Sequence, residues 1–318
     1  MKLRCIVFVL LLAAWPAAAQ NFPTKPITLI NGFQTGGPTD IQLRKLAEIA
    51  SRTFGQPVIL ESKPGAGGML GSVSMARSAK PDGYTVAQLS ASAFRIPHME
   101  AVDWNPLKDF TYIIGLTGYE FGVLVKADSP IKTFMDFIKY AKANPERLSY
   151  ASVGAGTATH VLMEEMALKA GIKLLHVPYK GNAPAVTAVV AGEVPIGVLA
   201  TTAVLPLLKA GRIKALAVSG LKRSALAPEV PTIAESGYAD FSAEFGILLA
   251  VPARTADDVV SALYREVARV LQEVEVRNTL RNMGMEVTAL NPEDTRRRVD
   301  AETRRWSAVI SSAGIRQD

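Results

Sequence analysis

An apolar strand, a glycine-rich turn and a helix succeed one another at residues 27–50, and this unit limits the fold more than any other stretch. Ile27 to Ile30 form the strand, Asn31 to Gly37 the turn, and Pro38-Thr39-Asp40 the helix entry. Ile41, Leu43, Leu46, Ala47 and Ala50 are the helix's apolar positions, with Arg44, Lys45 and Glu48 between them. Gly36 and Gly37 let backbone N–H groups approach a bound group closely. Pro38 suits a first helical turn, where its missing N–H costs nothing. The open N–H groups of that turn favour an anion. The turn thus reads either as an ordinary glycine hinge or as half of a carboxylate or phosphate seat.

The unit recurs. Pro57 to Leu60 read as a strand, Lys63-Pro64-Gly65-Ala66-Gly67-Gly68 as a turn, and Met69 to Lys80 as a helix. Tyr84 to Leu89 form a third strand, closed by the small polar loop Ser90 to Ala93. Leu148 to Ser152 lead into a second glycine turn, Gly154-Ala155-Gly156-Thr157, and a helix carrying His160. Strands at Leu174–Pro178, Pro195–Leu199 and Ile213–Ser219 follow, with helices between them. Alternation of this kind implies an α/β protein with mostly parallel sheets flanked by helices. Ligands then bind beyond the carboxyl ends of the strands.

Glu120-Phe121-Gly122-Val123-Leu124-Val125 is echoed by Glu244-Phe245-Gly246-Ile247-Leu248-Leu249. Two such strands suit paired crossings between two lobes, although apolar strands often look alike. The resulting division is lobe 1 at 20–121 plus 246–318 and lobe 2 at 122–245, each of ordinary domain size. Asp257 to Met283 read as one long helix, with Val274 among its apolar positions.

Lys2 and Arg4, the apolar run Ile6 to Trp15 and Ala17-Ala18-Ala19 have the form of a secretory signal peptide over residues 1–19. Its apolar run is shorter than the roughly 20 residues of a membrane span. The expected location is periplasmic. Cys5 is the only cysteine and lies within this segment, so disulfides and thiolate chemistry are not expected of the rest. Without Lys2 and Arg4 the formal charge falls from +6 to +4, too mild and scattered for a nucleic-acid partner.

Enzyme signatures fail one by one. Position 70, where a dinucleotide turn beginning at Gly65 needs glycine, is Leu70. No Lys-Ser or Lys-Thr completes a P-loop, and no nucleophile elbow or His-Glu-x-x-His pair occurs. His98, His160 and His176 are dispersed. No catalytic residue, metal or cofactor is expected. What remains is a binding architecture, with two glycine turns at helix N-termini facing each other across a cleft. Ser92, Thr157 and Thr201 offer hydroxyls, and Phe33 and Tyr179 offer walls. Lys180 reads as a surface or ligand-facing cation. His160 reads equally as a ligand contact or a core histidine. Asp40 reads as a possible acid or, better, as a cap or brace of its own loop.

Several ordered motifs carry a resemblance: Gly36-Gly37-Pro38-Thr39-Asp40, Lys63-Pro64-Gly65-Ala66-Gly67-Gly68, Pro81-Asp82-Gly83-Tyr84-Thr85, Trp104-Asn105-Pro106-Leu107-Lys108-Asp109-Phe110 and His176-Val177-Pro178-Tyr179-Lys180-Gly181. The chain resembles the periplasmic solute receptors of tripartite tricarboxylate transporters, the Bug or TctC family. The resemblance implies a two-lobed, type II-like periplasmic binding fold that closes on a small carboxylated solute and delivers it to membrane permease subunits, with the receptor a monomer. It implies ligand contacts from the loops that carry Phe33, Gly36, Gly37 and Asp40 and Gly154, Gly156, Thr157 and His160, with Tyr179, Lys180 and Thr201 bordering the cleft; Ser92 joins the expected ligand contacts on the reading of its hydroxyl alone. A sensory receptor, or a two-lobed enzyme acting on an organic acid, are the alternatives. The chain departs from the family pattern at Gln34-Thr35, where a second proline-rich element is usual, and at Ala200, where Asn or Asp is usual. Arg95 reads either as a partner for a second carboxylate or as a surface residue.

Overall fold

The computed structural model describes residues 22–315 apart from 240, 242 and 244. The signal-peptide segment and Glu244 of the echoed motif lie outside the described residues. The chain begins with β1 (Ile27–Asn31), α1 (Pro38–Phe54), β2 (Val58–Ser62), α2 (Leu70–Ser78), β3 (Thr85–Leu89), the single turn α3 (Ser92–Arg95) and β4 (Phe110–Tyr119). It continues through β5 (Phe121–Lys126), α4 (Phe134–Ala143), β6 (Ser149–Ser152), α5 (Ala158–Ala170), β7 (Leu175–Pro178), α6 (Asn182–Ala191), β8 (Ile196–Ala200), α7 (Thr201–Lys209) and β9 (Ile213–Val218). It closes with β10 (Phe245–Pro252), α8 (Asp257–Val270), α9 (Val274–Asn282), β11 (Glu286–Leu290) and α10 (Pro292–Ala313).

Two sheets result. The first runs β2-β1-β3-β10-β4-β11 and the second β7-β6-β8-β5-β9. β1 lies parallel to β2 and β3, with Leu29 beside Leu60 and Val86. β10 runs antiparallel between β3 and β4. The second sheet repeats the plan: β6 lies parallel to β7 and β8, and β5 runs antiparallel between β8 and β9. Of the strands that run against the parallel sets, β5 in the second sheet and β10 in the first each carry one copy of the Phe-Gly-apolar echo; β11 also runs against β4 at the first sheet's edge. Each enters its sheet from the other, because β4 passes directly into β5 and β9 leads back to β10.

Local chemistry sets the helix ends. Pro38 starts α1 and Gly55, left-handed, ends it. Thr133 and Asp136 form a reciprocal capping box on α4. Leu43, Leu46, Ala47 and Ala50 of α1 join one apolar cluster with β1, β10, α8 and α9. A larger cluster links β3, α10 and α5, and so spans both sheets. Across that span Arg305 of α10 grips Glu165 of α5 with two bonds, Nε to Oε1 at 2.8 Å and Nη2 to Oε2 at 2.6 Å.

Some expectations are corrected. Ile41 is 46% exposed, whereas Gln42 is buried and donates to Thr117 Oγ1 at 2.9 Å. The buried stripe of the first turn therefore runs through Thr39, Asp40 and Leu43. The long helix expected over 257–283 is broken at Leu271–Glu273. The break turns Val274 outward to 70% exposure and Val276 inward. The Ser90–Ala93 loop continues into the helical turn α3 rather than ending in coil.

Trp306 is 1% exposed on α10, which packs against β4, α3 and α5. Trp306→Ala is expected to cost about 3–5 kcal/mol of unfolding free energy, read as a lower urea midpoint with little change in the slope of the transition.

Candidate functional site

The carboxyl ends of β1 and β3 in one sheet and of β6 and β8 in the other release the four segments that make the site. The first turn, Gly32 to Gly37, is tied down from within. Asn31 Oδ1 accepts from the Phe33 N–H at 3.0 Å, and Gln88 Oε1 accepts from the Gly32 N–H at 3.3 Å. Asp40 is buried and accepts from the Gly36 N–H at 3.0 Å, from Arg44 Nη2 at 3.0 and 3.1 Å, and from Asn31 Nδ2 at 3.5 Å. Burial acts to raise the Asp40 pKa, but the Gly36 N–H and the Arg44 guanidinium outweigh it and hold the carboxyl below its ordinary value. Both carboxylate oxygens are engaged inside the protein, which makes Asp40 the brace of its loop.

Tight backbone approaches bring the segments together. The Phe33 ring lies on Gly68, where a Cβ would come within 2.7 Å of it. Ile96 and Ser92 lie on Gly67. Met99 lies on Gly156, whose φ of +65° and lack of a Cβ leave room for the Met99 methyl group. Residues of the first sheet's loops thus touch the glycine turn of the second. One polar contact crosses with them: Arg95 Nη1 donates to the Gly156 carbonyl at 2.5 Å. Arg95 is only 7% exposed, so the surface alternative for it is excluded. Desolvation lowers its pKa to about 10, which leaves it charged at neutral pH.

The second turn is held by its own hydroxyls. Thr157 Oγ1 donates to the Gly154 carbonyl at 2.7 Å, and the Gly154 N–H reaches Ser152 Oγ at 3.1 Å. His160 Nδ1 accepts from the Gly156 N–H at 3.0 Å, so that nitrogen is unprotonated. The His160 and His176 rings stack with centroids 3.7 Å apart, and His176 in turn meets Ser152 Oγ at 2.6 Å. Glu164 stands 3.8 Å from His160 Nε2 and accepts from the Tyr150 hydroxyl at 2.6 Å. Burial, then the neighbouring His176 and Arg95, lowers the His160 pKa to about 3; burial lowers His176 to about 4. His160 therefore supports the turn as a neutral acceptor beneath it.

Thr201, at the start of α7, is buried with an Oγ1 that has no hydrogen-bond partner among the described residues. Gln88 Nε2 is in the same state under the first turn. Such atoms ask for water or a ligand group. Tyr179 bonds by its backbone N–H to the Ser152 carbonyl and is half-buried, while Lys180 is exposed. The structure thus brings Phe33, Ser92, Gly156 and His160 into one neighbourhood with Arg95. Gln88 is the residue that reading the sequence left unassigned, and Arg95 the one it left between two readings. The available signal was a lone polar side chain in each apolar run, Val86-Ala87-Gln88-Leu89 and Ala93-Phe94-Arg95-Ile96. Among the described residues there is no group of three or more potential metal ligands and no helix long and apolar enough to cross a membrane.

Residues 42–315 match the model of the tripartite tricarboxylate transporter family receptor. The chain belongs to that family. A relative from Cupriavidus necator, described as the UPF0065 protein in the gbd 5' region, is 41% identical over 96% of this chain and 93% of its own. A TctC solute-binding protein from Polaromonas, solved without ligand, is 27% identical with a TM-score of 0.84, over 92% of this chain and 99% of its own. An R. palustris protein solved with adipate is 30% identical with a TM-score of 0.76, over 93% and 99%. The expected two-lobed periplasmic binding fold is borne out by these likenesses and by the repeated strand order.

The histidine stack generates a pH dependence. The unfolded chain takes up protons at His160 and His176 near pH 6.5, and the folded chain does not until about pH 3 and 4. Stability from these two groups is full above pH 6.5 and falls as the pH drops toward 4. Glu164, raised by burial, acts with the opposite sign. His160→Gln keeps an acceptor for the Gly156 N–H; its urea midpoint is expected to fall less steeply than that of the native protein between pH 7 and 4.5.

Proposed function

We propose that the protein is a periplasmic, non-enzymatic receptor that binds a small carboxylated organic solute between its lobes as a monomer and presents the loaded form to the permease subunits of a tripartite transporter. Residues 1–19 serve as its export signal. The lobes are 20–121 plus 246–318 and 122–245, joined where β4 passes into β5 and where β9 leads back to β10. The observation that carries this reading is the meeting of the first-sheet loops with the second glycine turn, across the carboxyl ends of two like-ordered sheets. Family membership and the adipate held by the R. palustris relative support the solute class.

In this reading the first turn supplies backbone N–H groups from Gly37 onward, Phe33 covers one side of the solute, and Ser92, Thr157 and the unpartnered Thr201 hydroxyl complete the polar contacts. Gly36, Gly154 and Gly156 shape the two turns. Tyr179 and Lys180 border the opening. Asp40 and His160 act from behind, holding the turns in shape.

Two measurements test it. In a melting screen of dicarboxylates, tricarboxylates and aromatic acids, an acid at 100 times its Kd adds about 2.7 kcal/mol of stability. A rise in Tm with neutral solutes alone refutes the solute class. In the second, Gly37 has φ −77° and a Cβ there would sit 3.6 Å from the nearest atom, so Gly37→Val folds without a clash. Its added side chain is expected to weaken acid binding at least tenfold; unchanged affinity removes the first turn from the site.

A further inference from the structure

Arg95 is a charged residue buried to 7% exposure. Its guanidinium has five N–H donors. One goes to the Ala91 carbonyl at 3.3 Å, one to the Gly156 carbonyl at 2.5 Å and one to Ser92 Oγ at 3.5 Å. All three acceptors are neutral, and two N–H groups remain. Among the described residues no carboxylate lies within ion-pair distance of it. Glu165, the buried glutamate of α5, is taken by Arg305. Buried arginines are ordinarily paired, because an unmatched charge away from water is costly.

The contrast with the first turn is informative. There the positive end of α1 and the Arg44 guanidinium already face a buried carboxylate, Asp40. The opposite deficit holds at Arg95, where a cation faces only carbonyl and hydroxyl oxygens. The position is also specific. Arg95 ends α3, beyond the carboxyl end of β3 in the first sheet, and its Nη1 reaches the turn beyond β6 in the second. Ser92 and Ile96 set it beside Gly67, and Met99 sets it beside Gly156.

We propose that Arg95 is the ion-pair partner of the solute's carboxylate, which takes the place of the Gly156 carbonyl on the guanidinium. This rests on the reading of the protein as a receptor for a carboxylated solute. A planar carboxylate matches the fork of N–H groups with two parallel bonds, which a carbonyl cannot do. Binding then neutralises the charge and releases the Gly156 carbonyl. Because the guanidinium stands at the contact between the lobes, the carboxylate that pairs with it also lies against the second glycine turn. The receptor is thereby selective for acids over their uncharged amides, and the selectivity resides in one side chain.

Calorimetric titration of the full mature protein tests this with adipate, with the tightest-binding acid from the melting screen, and with the corresponding neutral amides. The native protein is expected to prefer acid to amide, and Arg95→Met to lower that preference about 100-fold. Arg95→Gln, which keeps a neutral donor for the Gly156 carbonyl, is expected to lower it similarly, and serves if the Met variant does not fold. Arg95→Lys keeps the charge without the fork and is expected to retain part of the preference. A purely structural clasp would lower the Tm and weaken acid and amide alike. If either neutral variant keeps the acid-over-amide ratio within threefold of native, Arg95 is not the carboxylate partner, while the receptor reading stands. If the native protein itself binds no acid, the receptor reading fails first, and the role of Arg95 falls with it.

Discussion

Each sheet of this protein joins its parallel set to further strands through one strand that runs against both neighbours and arrives from the other sheet. β5 and β10 therefore do two jobs. They supply the antiparallel register that joins β3 to β4 and β8 to β9, and they fix the carboxyl ends of both parallel sets toward the same gap. Every feature of the site follows from that. Turns leaving β1, β3, β6 and β8 have nowhere to go but the space between the lobes. The residues there are small because opposing backbones and side chains come within contact distance, as Met99 does at Gly156 and Phe33 at Gly68.

Charge is distributed unevenly across that gap. A glycine turn at a helix N-terminus invites an anion, yet the first turn answers much of its own invitation with Asp40, whose oxygens take the Gly36 N–H and Arg44. The histidine layer beneath the second turn is likewise internal. His160 and His176 stack closely, and burial keeps both neutral at physiological pH, so they shape the turn rather than charge it. Arg95 is left as the buried cation at the lobe contact without an acidic partner among the described residues. A helix end acts through partial charges, whereas a desolvated guanidinium acts through a full one, which is why the electrostatic weight moves from the glycine turns to α3.

The relation between sequence and structure differs by element. Period and turn chemistry located α1 and the strands from β1 to β3 to within a few residues, since α1 opens on Pro38 beside a patterned apolar run and each strand leads into a turn. β11 passed unread because its five residues, Glu286–Leu290, alternate weakly and it pairs only at the sheet's edge, with β4. The break between α8 and α9 passed unread because apolar residues continue through it, and Val274 is apolar in sequence yet 70% exposed.

By itself the sequence determined that this is an α/β chain of repeated strand–turn–helix units and that its motifs resemble those of a tripartite transporter receptor. These are properties of local period, turn residues and ordered motifs, all readable along one dimension. Only the tertiary structure decided which polar groups are satisfied. Asp40 is a loop brace because Asn31 and Arg44 close on it, His160 is neutral because it is buried, with His176 stacked on it, and Arg95 has no acidic partner among the described residues because its hydrogen bonds go to neutral oxygens. Such facts depend on burial and on partners as many as 61 residues away, as for Arg95 and Gly156, and no local pattern records them.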